Sequence, residues 1–119
     1  MANTFKVVTF AAEPASAGSP YIVYTTPGST TTIILGLVLS NIHTSQVTAE
    51  VELVSDTSGG GRAATNGTSF IIKDAPIPVG SSLELVAGNK VVLETTDAIR
   101  VDCSVADKLS GTLSIMEIT

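Results

Sequence analysis

The sequence predicts an all-β fold, an antiparallel two-sheet sandwich or jelly roll of eight or nine short strands. Apolar and polar residues alternate at period two in one segment after another, whereas no segment keeps the 3.6-residue period of a helix. Turns rich in Pro, Gly, Asn and Asp separate these segments. The 119 residues, 44% of them hydrophobic, are enough for one domain with its own core, which we place at residues 1–119.

The predicted strands follow one another with short connections. They lie at residues 3–10, 21–25, 30–42, 47–53, 68–73, 81–86, 90–94, 98–105 and 111–118. Residues 13–20 form a loop by composition, and Pro27 with Gly28 favours a type II turn. Residues 41–46 suit a hairpin connection, and residues 55–67 form a polar loop that contains three consecutive glycines.

Two predicted strands carry apolar residues on both faces. In the strand at 30–42, Ile34 and Val38 oppose a face formed by Ile33, Leu35, Leu37 and Leu39. In the strand at 111–118, Met116 and Ile118 lie on the face opposite Leu113 and Ile115. Either a bulge resets the alternation within this strand, or the strand is covered on both faces, and we favour the second explanation. The second face must then be covered by a loop, a partner subunit or both. For a partner subunit, we expect the interface to include four residues: Ile34, Val38, Met116 and Ile118.

Composition argues against several classes of partner. The net charge is −5 and no segment clusters Lys or Arg, so binding to nucleic acid is not expected. The longest apolar run, residues 33–39, is far shorter than the roughly 20 residues that cross a bilayer. The apolar part of the first residues is too short for a signal peptide, so we do not expect one. We expect the protein to be made in a cytoplasm and not to associate with a membrane. Charged residues are only 14%, while Ser and Thr number 29, a surface that suits packing into an assembly.

Candidate catalytic residues are few, and each has a simpler structural interpretation. Cys103 continues the apolar alternation of its strand and is interpreted as a buried hydrophobic residue. His43 is the only histidine, and it lies in a polar turn without a nucleophile motif nearby. Glu50 and Glu52 share one strand face, which suits a solvated surface better than a glycosidase or calcium site. We expect no enzyme activity, no cofactor and no metal.

Two loop motifs and one proline pair complete the sequence signals. The glycines at 59–61 followed by Arg62 lack the strand, helix and Lys-Ser/Thr pair of a phosphate-binding loop. Asn66 and Gly67 suit a tight turn. Pro76 and Pro78 place their segment at a sheet edge or in a rigid crossover, because proline cannot donate to a central ladder.

Several of these segments, taken in order, resemble a family of short virion structural proteins of tailed phages, especially phages of marine cyanobacteria. The matching motifs are MANTFK at 1–6, YTTP at 24–27, TTT at 30–32, KDAPIPVGSSL at 73–83, VLETTDAIRV at 92–101 and LSIMEIT at 113–119. The loop at 55–67 is longer than the resemblance leads us to expect. The resemblance brings no catalytic residues.

The resemblance implies a non-enzymatic virion component, either a capsid decoration or accessory subunit or a tail-attached adaptor. Its partners would be other virion proteins and further copies of itself, and its location would be the virion. The alternative is a carbohydrate- or receptor-binding β-sandwich module, since sandwich loops commonly carry recognition. The chain contains no Trp, so Tyr21 or Tyr24 would have to stack against a sugar.

Overall fold

Nine antiparallel strands make up the computed structural model, which describes residues 2–55, 67–86 and 90–119. The strands are β1 Asn3–Glu13, β2 Tyr21–Thr25, β3 Thr31–Asn41, β4 Val47–Ser55, β5 Gly67–Ile77, β6 Ser82–Leu85, β7 Val91–Leu93, β8 Ala98–Cys103 and β9 Leu109–Ile118. In these ranges there is no helix of the length and apolar character that spanning a membrane requires.

The strands form two sheets, as the sequence predicts. The five-stranded sheet has the order β1-β9-β3-β6, and β7 pairs with β3 beyond the end of β6. The four-stranded sheet has the order β2-β8-β4-β5. Every pairing is antiparallel, and the two sheets enclose one apolar core, so the prediction of a two-sheet sandwich is confirmed.

The core is built from the inward-facing half of each alternation. Strand β9 shows this most regularly, because its buried residues occur at every second position from Leu109 to Glu117. Cys103 also lies in the core, as its alternation predicts, with 3% of its surface exposed. The largest fully buried side chains are Ile34, Leu37, Leu39, Ile77, Leu93, Ile99, Leu109, Leu113, Ile115, Val47, Val51 and Val101.

The strand boundaries differ from the predicted ones mainly in β1 and β5. A register shift between Phe10 and Glu13 lets β1 continue beside β9 into a segment whose composition suggests a loop. Strand β5 extends to Ile77 and includes Pro76, which pairs with Thr48. Among the described strands β5 has a neighbour on one side only, so Pro76 lies at a sheet edge, as its sequence context predicts. The glycines at 59–61, Arg62 and Asn66 lie outside the described residues.

A bulge in β3 corrects the predicted faces of that strand. Ile34 pairs with Ile115, whereas Gly36 pairs with the next residue of β9, Ser114, so Leu35 is an extra residue. The alternation therefore shifts by one position between Ile34 and Gly36. As a result Ile34 points into the core together with Leu37 and Leu39, and its surface is 0% exposed. The prediction that Ile34 lies on the outer face is wrong, because the period-two pattern was continued through the bulge.

Strand β9 contains no bulge. Its two register shifts arise from extra residues in β1 and β3, while its own alternation is unbroken. Leu113 and Ile115 face the core, and Met116 and Ile118 face outward, half-buried among their neighbours on the same sheet. The apolar residues on both faces thus do not result from a bulge in β9, and the cover over its outer face that we expected is not supplied by the residues that the structure describes.

Candidate docking face

A row of four apolar side chains crosses the outer face of the five-stranded sheet. The strand register aligns Phe5 of β1 with Met116 of β9, Met116 with Ile33 of β3, and Ile33 with Val92 of β7. Side chains that are paired directly across strands lie about 4.5–5.5 Å apart at Cβ. The four side chains therefore form one continuous strip, which we call the apolar row: Phe5, Met116, Ile33 and Val92.

The two ends of the apolar row are the most exposed. Phe5 is 72% exposed and Val92 is 53% exposed, whereas Met116 and Ile33 in the middle are half-buried between them. Val7, two residues after Phe5 on the same face of β1, is also exposed. Scattered exposed apolar residues are ordinary, but a contiguous strip across neighbouring strands marks an interaction surface.

The structure places three of the four expected interface residues on this same face. Met116 belongs to the apolar row, and Ile118 is the next outward-facing residue of β9. Val38 lies beyond the bulge in β3 and is 38% exposed. Ile34 does not belong to the face, as described above. Ile33, its neighbour in sequence, occupies the outer position instead.

A shallow hollow lies beside the apolar row, on the side of the β3 bulge. Its floor is formed by small side chains, because Gly36 is paired with Ser114 and Thr112 follows along β9. Val38 and Glu84 close its far side. The hollow has a volume of about 340 Å³. The outer face therefore combines a raised apolar strip with an adjacent depression.

Charge is distributed very unequally between the two outer faces. Among the described residues, the outer positions of the five-stranded sheet carry one charged side chain, Glu84. The outer face of the four-stranded sheet carries two ion pairs, one between Arg100 and Glu52 and one in which the Nζ of Lys73 lies 3.2 Å from Glu50. A polar, charged face suits water, whereas a face almost free of charge suits a protein partner.

A polar cluster joins the two sheets at one end of the core. The Tyr24 hydroxyl of β2 donates a hydrogen bond of 2.6 Å to Glu117 of β9 and lies 2.8 Å from the hydroxyl of Thr32 in β3. The Nζ of Lys6 in β1 lies 2.7 Å from the other Glu117 oxygen. Each buried polar group of this cluster is thereby satisfied. The cluster links the two sheets and is interpreted as structural, because each oxygen of the Glu117 carboxylate already has a partner within the protein.

The cluster shifts the protonation of two of its members. The hydrogen bond from Lys6, followed by that from Tyr24, holds the pKa of the Glu117 carboxyl below its ordinary value of 4.5. Burial, reinforced by the bond to Glu117, raises the pKa of Tyr24 to about 12. Glu117 is therefore ionised and Tyr24 neutral across the physiological range.

The other residues considered as catalytic candidates have structural surroundings of their own. His43 lies in the connection between β3 and β4, where its backbone N–H donates a 2.7 Å hydrogen bond to the Asn41 side chain. Glu50 is half-buried, but Glu52 is 7% exposed and paired with Arg100, so the expectation of a solvated face is wrong for Glu52. In the part of the chain that the structure describes, no three His, Cys, Asp or Glu side chains converge on a possible metal position.

Both tyrosines are engaged by the protein itself. The Tyr21 ring packs against Phe10 with the ring centroids 5.4 Å apart, and both tyrosines are partly buried against the core. Neither therefore presents an open aromatic face of the kind that stacks on a sugar ring.

Sequence reasoning missed Phe5, Ile33 and Val92 as members of the face. Phe5 and Val92 occur in segments whose alternation places them opposite the core, so period two alone could have indicated them. Ile33 was assigned to the wrong face because the bulge is not visible in the pattern. The alignment of all four residues depends on strand order, which no local signal carries.

Comparison with known proteins identifies no family for the chain. No protein-family model matches it, and no curated protein is significantly similar to it in sequence. A solved chain of the Bacillus endospore appendages, a novel family of disulfide-linked pili, aligns over 99% of this chain and 87% of its own length, with 16% identity and a TM-score of 0.47. A likeness at that level carries no conclusion about either fold or function.

Proposed function

We propose that this chain is a non-enzymatic structural subunit of a phage particle, a capsid decoration or accessory subunit or a tail-attached adaptor. It is held in the particle by the outer face of the five-stranded sheet. The observation that carries this proposal is the apolar row, which crosses four strands and has no covering layer within the described residues. The phage setting is supported by the resemblance of the motifs between residues 1 and 119 to small virion proteins.

The free energy available from this face is sufficient for assembly. Full burial of an aliphatic or aromatic side chain contributes about 1.5–3 kcal/mol before ordering costs. Phe5 and Val92 have most or half of their surface still to bury, and Val7 and Val38 add to them. A subunit that repeats in many copies needs only modest energy at each contact, because a multivalent particle adds the contacts together.

A carbohydrate-binding module is the rival from another class. Its recognition would require an exposed aromatic platform, and Tyr21 and Tyr24 are both packed against the core. Micromolar binding of the purified chain to a glycan array would nevertheless establish it in place of the structural role.

The proposal is tested in purified particles. Quantitative mass spectrometry should find the chain at a fixed copy number per particle, and a tagged copy supplied in trans should enter the particles. The Val92→Ser variant should enter less efficiently, because it removes an apolar side chain from the docking face. Ile22→Ser is the matched control, since Ile22 is 54% exposed on the other sheet. Absence of the chain from particles would contradict the proposal.

A further inference from the structure

We propose that the docking face pairs with the same face of a second copy of the chain, about a two-fold axis that seats each apolar row in the other copy's hollow. This inference rests on the proposed function in using the same face, but it names the occupant as a second copy and fixes the geometry of the contact.

The shape of the face favours a copy of itself. The middle of the apolar row, Met116 and Ile33, lies directly beside the hollow along β9 and β3, and these two side chains are the ones that would enter the hollow of a second copy. The adjacent hollow is about 340 Å³, floored by Gly36 and Ser114. A cavity of roughly 150 Å³ accepts one benzene molecule, so the hollow has room for large apolar side chains. One surface thus supplies both the protruding and the receiving part, as a two-fold contact requires.

The register of the strands makes the geometry possible. Met116 and Ser114 are two residues apart on the same face of β9, so the row and the floor of the hollow are separated by about 7 Å along the strand. We place the two-fold axis above the sheet, between the row and the hollow and parallel to the row. Rotation about this axis brings the row of the second copy over the hollow of the first, and the row of the first over the hollow of the second. The Met116 and Ile33 side chains of each copy then lie over Ser114 and Gly36 of the other.

The size of the face agrees with a stable dimer. The sheet is four strand positions wide, at about 4.8 Å each, and strands of 10 or 11 residues rise about 3.3 Å per residue. The face is therefore roughly 20 by 35 Å, or about 700 Å². A specific protein interface of standard size buries about 800 Å² on each partner.

The charge of the face points to the same occupant. Glu84 is the single charged side chain at the described outer strand positions, so the face offers little to a strongly charged partner. A second copy brings an equally uncharged surface. The two sheets would pack face to face about 10 Å apart, as sheets do in sandwiches.

The test is sedimentation equilibrium of the purified full chain over a range of concentrations, with variants that fill the hollow. Gly36→Leu adds apolar surface, and a Cβ at Gly36 meets no atom within 4 Å. If copies associated through nonspecific hydrophobic contact, this variant would associate more strongly. If the row of one copy occupies the hollow of the other, the new side chain would displace the row and weaken association. We expect the wild type to dimerise and Gly36→Leu to weaken dimerisation at least about tenfold. Ser114→Leu, which fills the same hollow from β9, should act likewise.

Matched controls separate this contact from others. Val92→Ser should weaken dimerisation, and Ile22→Ser, with nearly the same exposure on the opposite face, should not. A thermal unfolding curve for each variant shows whether it is folded. A monomeric wild type at all concentrations would overturn the inference, and so would Gly36→Leu and Ser114→Leu variants that are folded and dimerise as tightly as the wild type.

The outcomes also distinguish the inference from the proposed function. If the chain is monomeric but Val92→Ser still fails to enter particles, the pairing of copies is refuted and the structural role stands, with another virion protein on the face. If the chain dimerises as described but is absent from particles, the pairing stands and the virion role is refuted.

Discussion

A single glycine lets an aromatic ring pack closely over the core side of the five-stranded sheet. Gly111 of β9 lies beneath the Phe10 ring, and a Cβ built there would lie 2.5 Å from two atoms of that ring and 3.2 Å from Leu39. The ring is itself held against Tyr21 at 5.4 Å between centroids. A side chain larger than glycine at this position would force the Phe10 ring to shift from its packing against Tyr21.

The first prediction concerns this close approach. Gly111→Ala should lower the free energy of unfolding by about 1–3 kcal/mol, because the added methyl group overpacks a filled core. Gly36→Ala is the control, since its Cβ would meet nothing within 4 Å. Urea unfolding followed by tyrosine fluorescence measures both, and equal stability of the two variants would contradict the packing described here.

The second prediction concerns acid stability. The hydrogen bond from Lys6 lowers the pKa of Glu117, so the folded state binds fewer protons than the unfolded state near the ordinary carboxyl pKa. The stability that this ionised carboxylate contributes is present above about pH 4.5 and is lost as the pH falls through the lowered folded-state value.

Lys6→Met should therefore reduce the loss of stability between pH 6 and about pH 3, because Glu117 then has a pKa closer to that of the unfolded chain. Lys73→Met removes one positive charge at an exposed site on the other sheet and serves as the control. Urea unfolding at a series of pH values measures the slope. An unchanged slope in Lys6→Met would show that the Lys6 contact does not influence Glu117.

At the scale of elements, the two sheets differ in how they use charge. On the four-stranded sheet, Glu52 of β4 lies directly opposite Arg100 of β8, and its side chain is 9% exposed. The Lys73–Glu50 pair on the same face is much more open to water. A carboxylate that has lost most of its water depends on its partner, whereas an exposed pair contributes little.

The third prediction compares these pairs. Arg100→Met should lower the free energy of unfolding by about 2–3 kcal/mol, because it leaves Glu52 buried without its counter-ion, and the partial exposure of Arg100 keeps the value below the 3–5 kcal/mol of a fully buried pair. Lys73→Met should cost much less than Arg100→Met, because its pair with Glu50 is open to water. Denaturant unfolding of both variants checks the ranking, and a reversed order would contradict it.

How far the sequence predicts these elements depends on whether the information is local. Strand β2 begins and ends where its alternation does, and β9 alternates as expected, because period two and turn residues act within a few positions. The bulge at Leu35 was not predicted, since it depends on pairing with a distant strand. Glu117 has the same inward phase as Leu113 and Ile115, so its burial could have been predicted from the alternation. Its partners Tyr24 and Lys6 could not, because they lie on other strands that only the fold brings together.

At the scale of the whole molecule, the strand order brings apolar residues from separate segments of the sequence together on one surface. Phe5, Met116, Ile33 and Val92 come from four separate segments of the sequence and align only because β9 lies between β1 and β3, and β7 lies beside β3. The opposite outer face carries the ion pairs. The two outer faces therefore differ in charge, and this asymmetry is the basis of the proposed structural role.

Thiol labelling of the assembled protein tests that asymmetry most directly. The native Cys103 is 3% exposed, so a single new cysteine reports on its own surroundings. Val92→Cys and Ile22→Cys have nearly equal exposure in the isolated chain, 53% and 54%, and should react with maleimide at similar rates when the protein is dilute. In the assembled state we expect Val92→Cys to be protected and Ile22→Cys to remain reactive; equal reactivity of the two in the assembly, or protection of Ile22→Cys alone, would contradict the docking face.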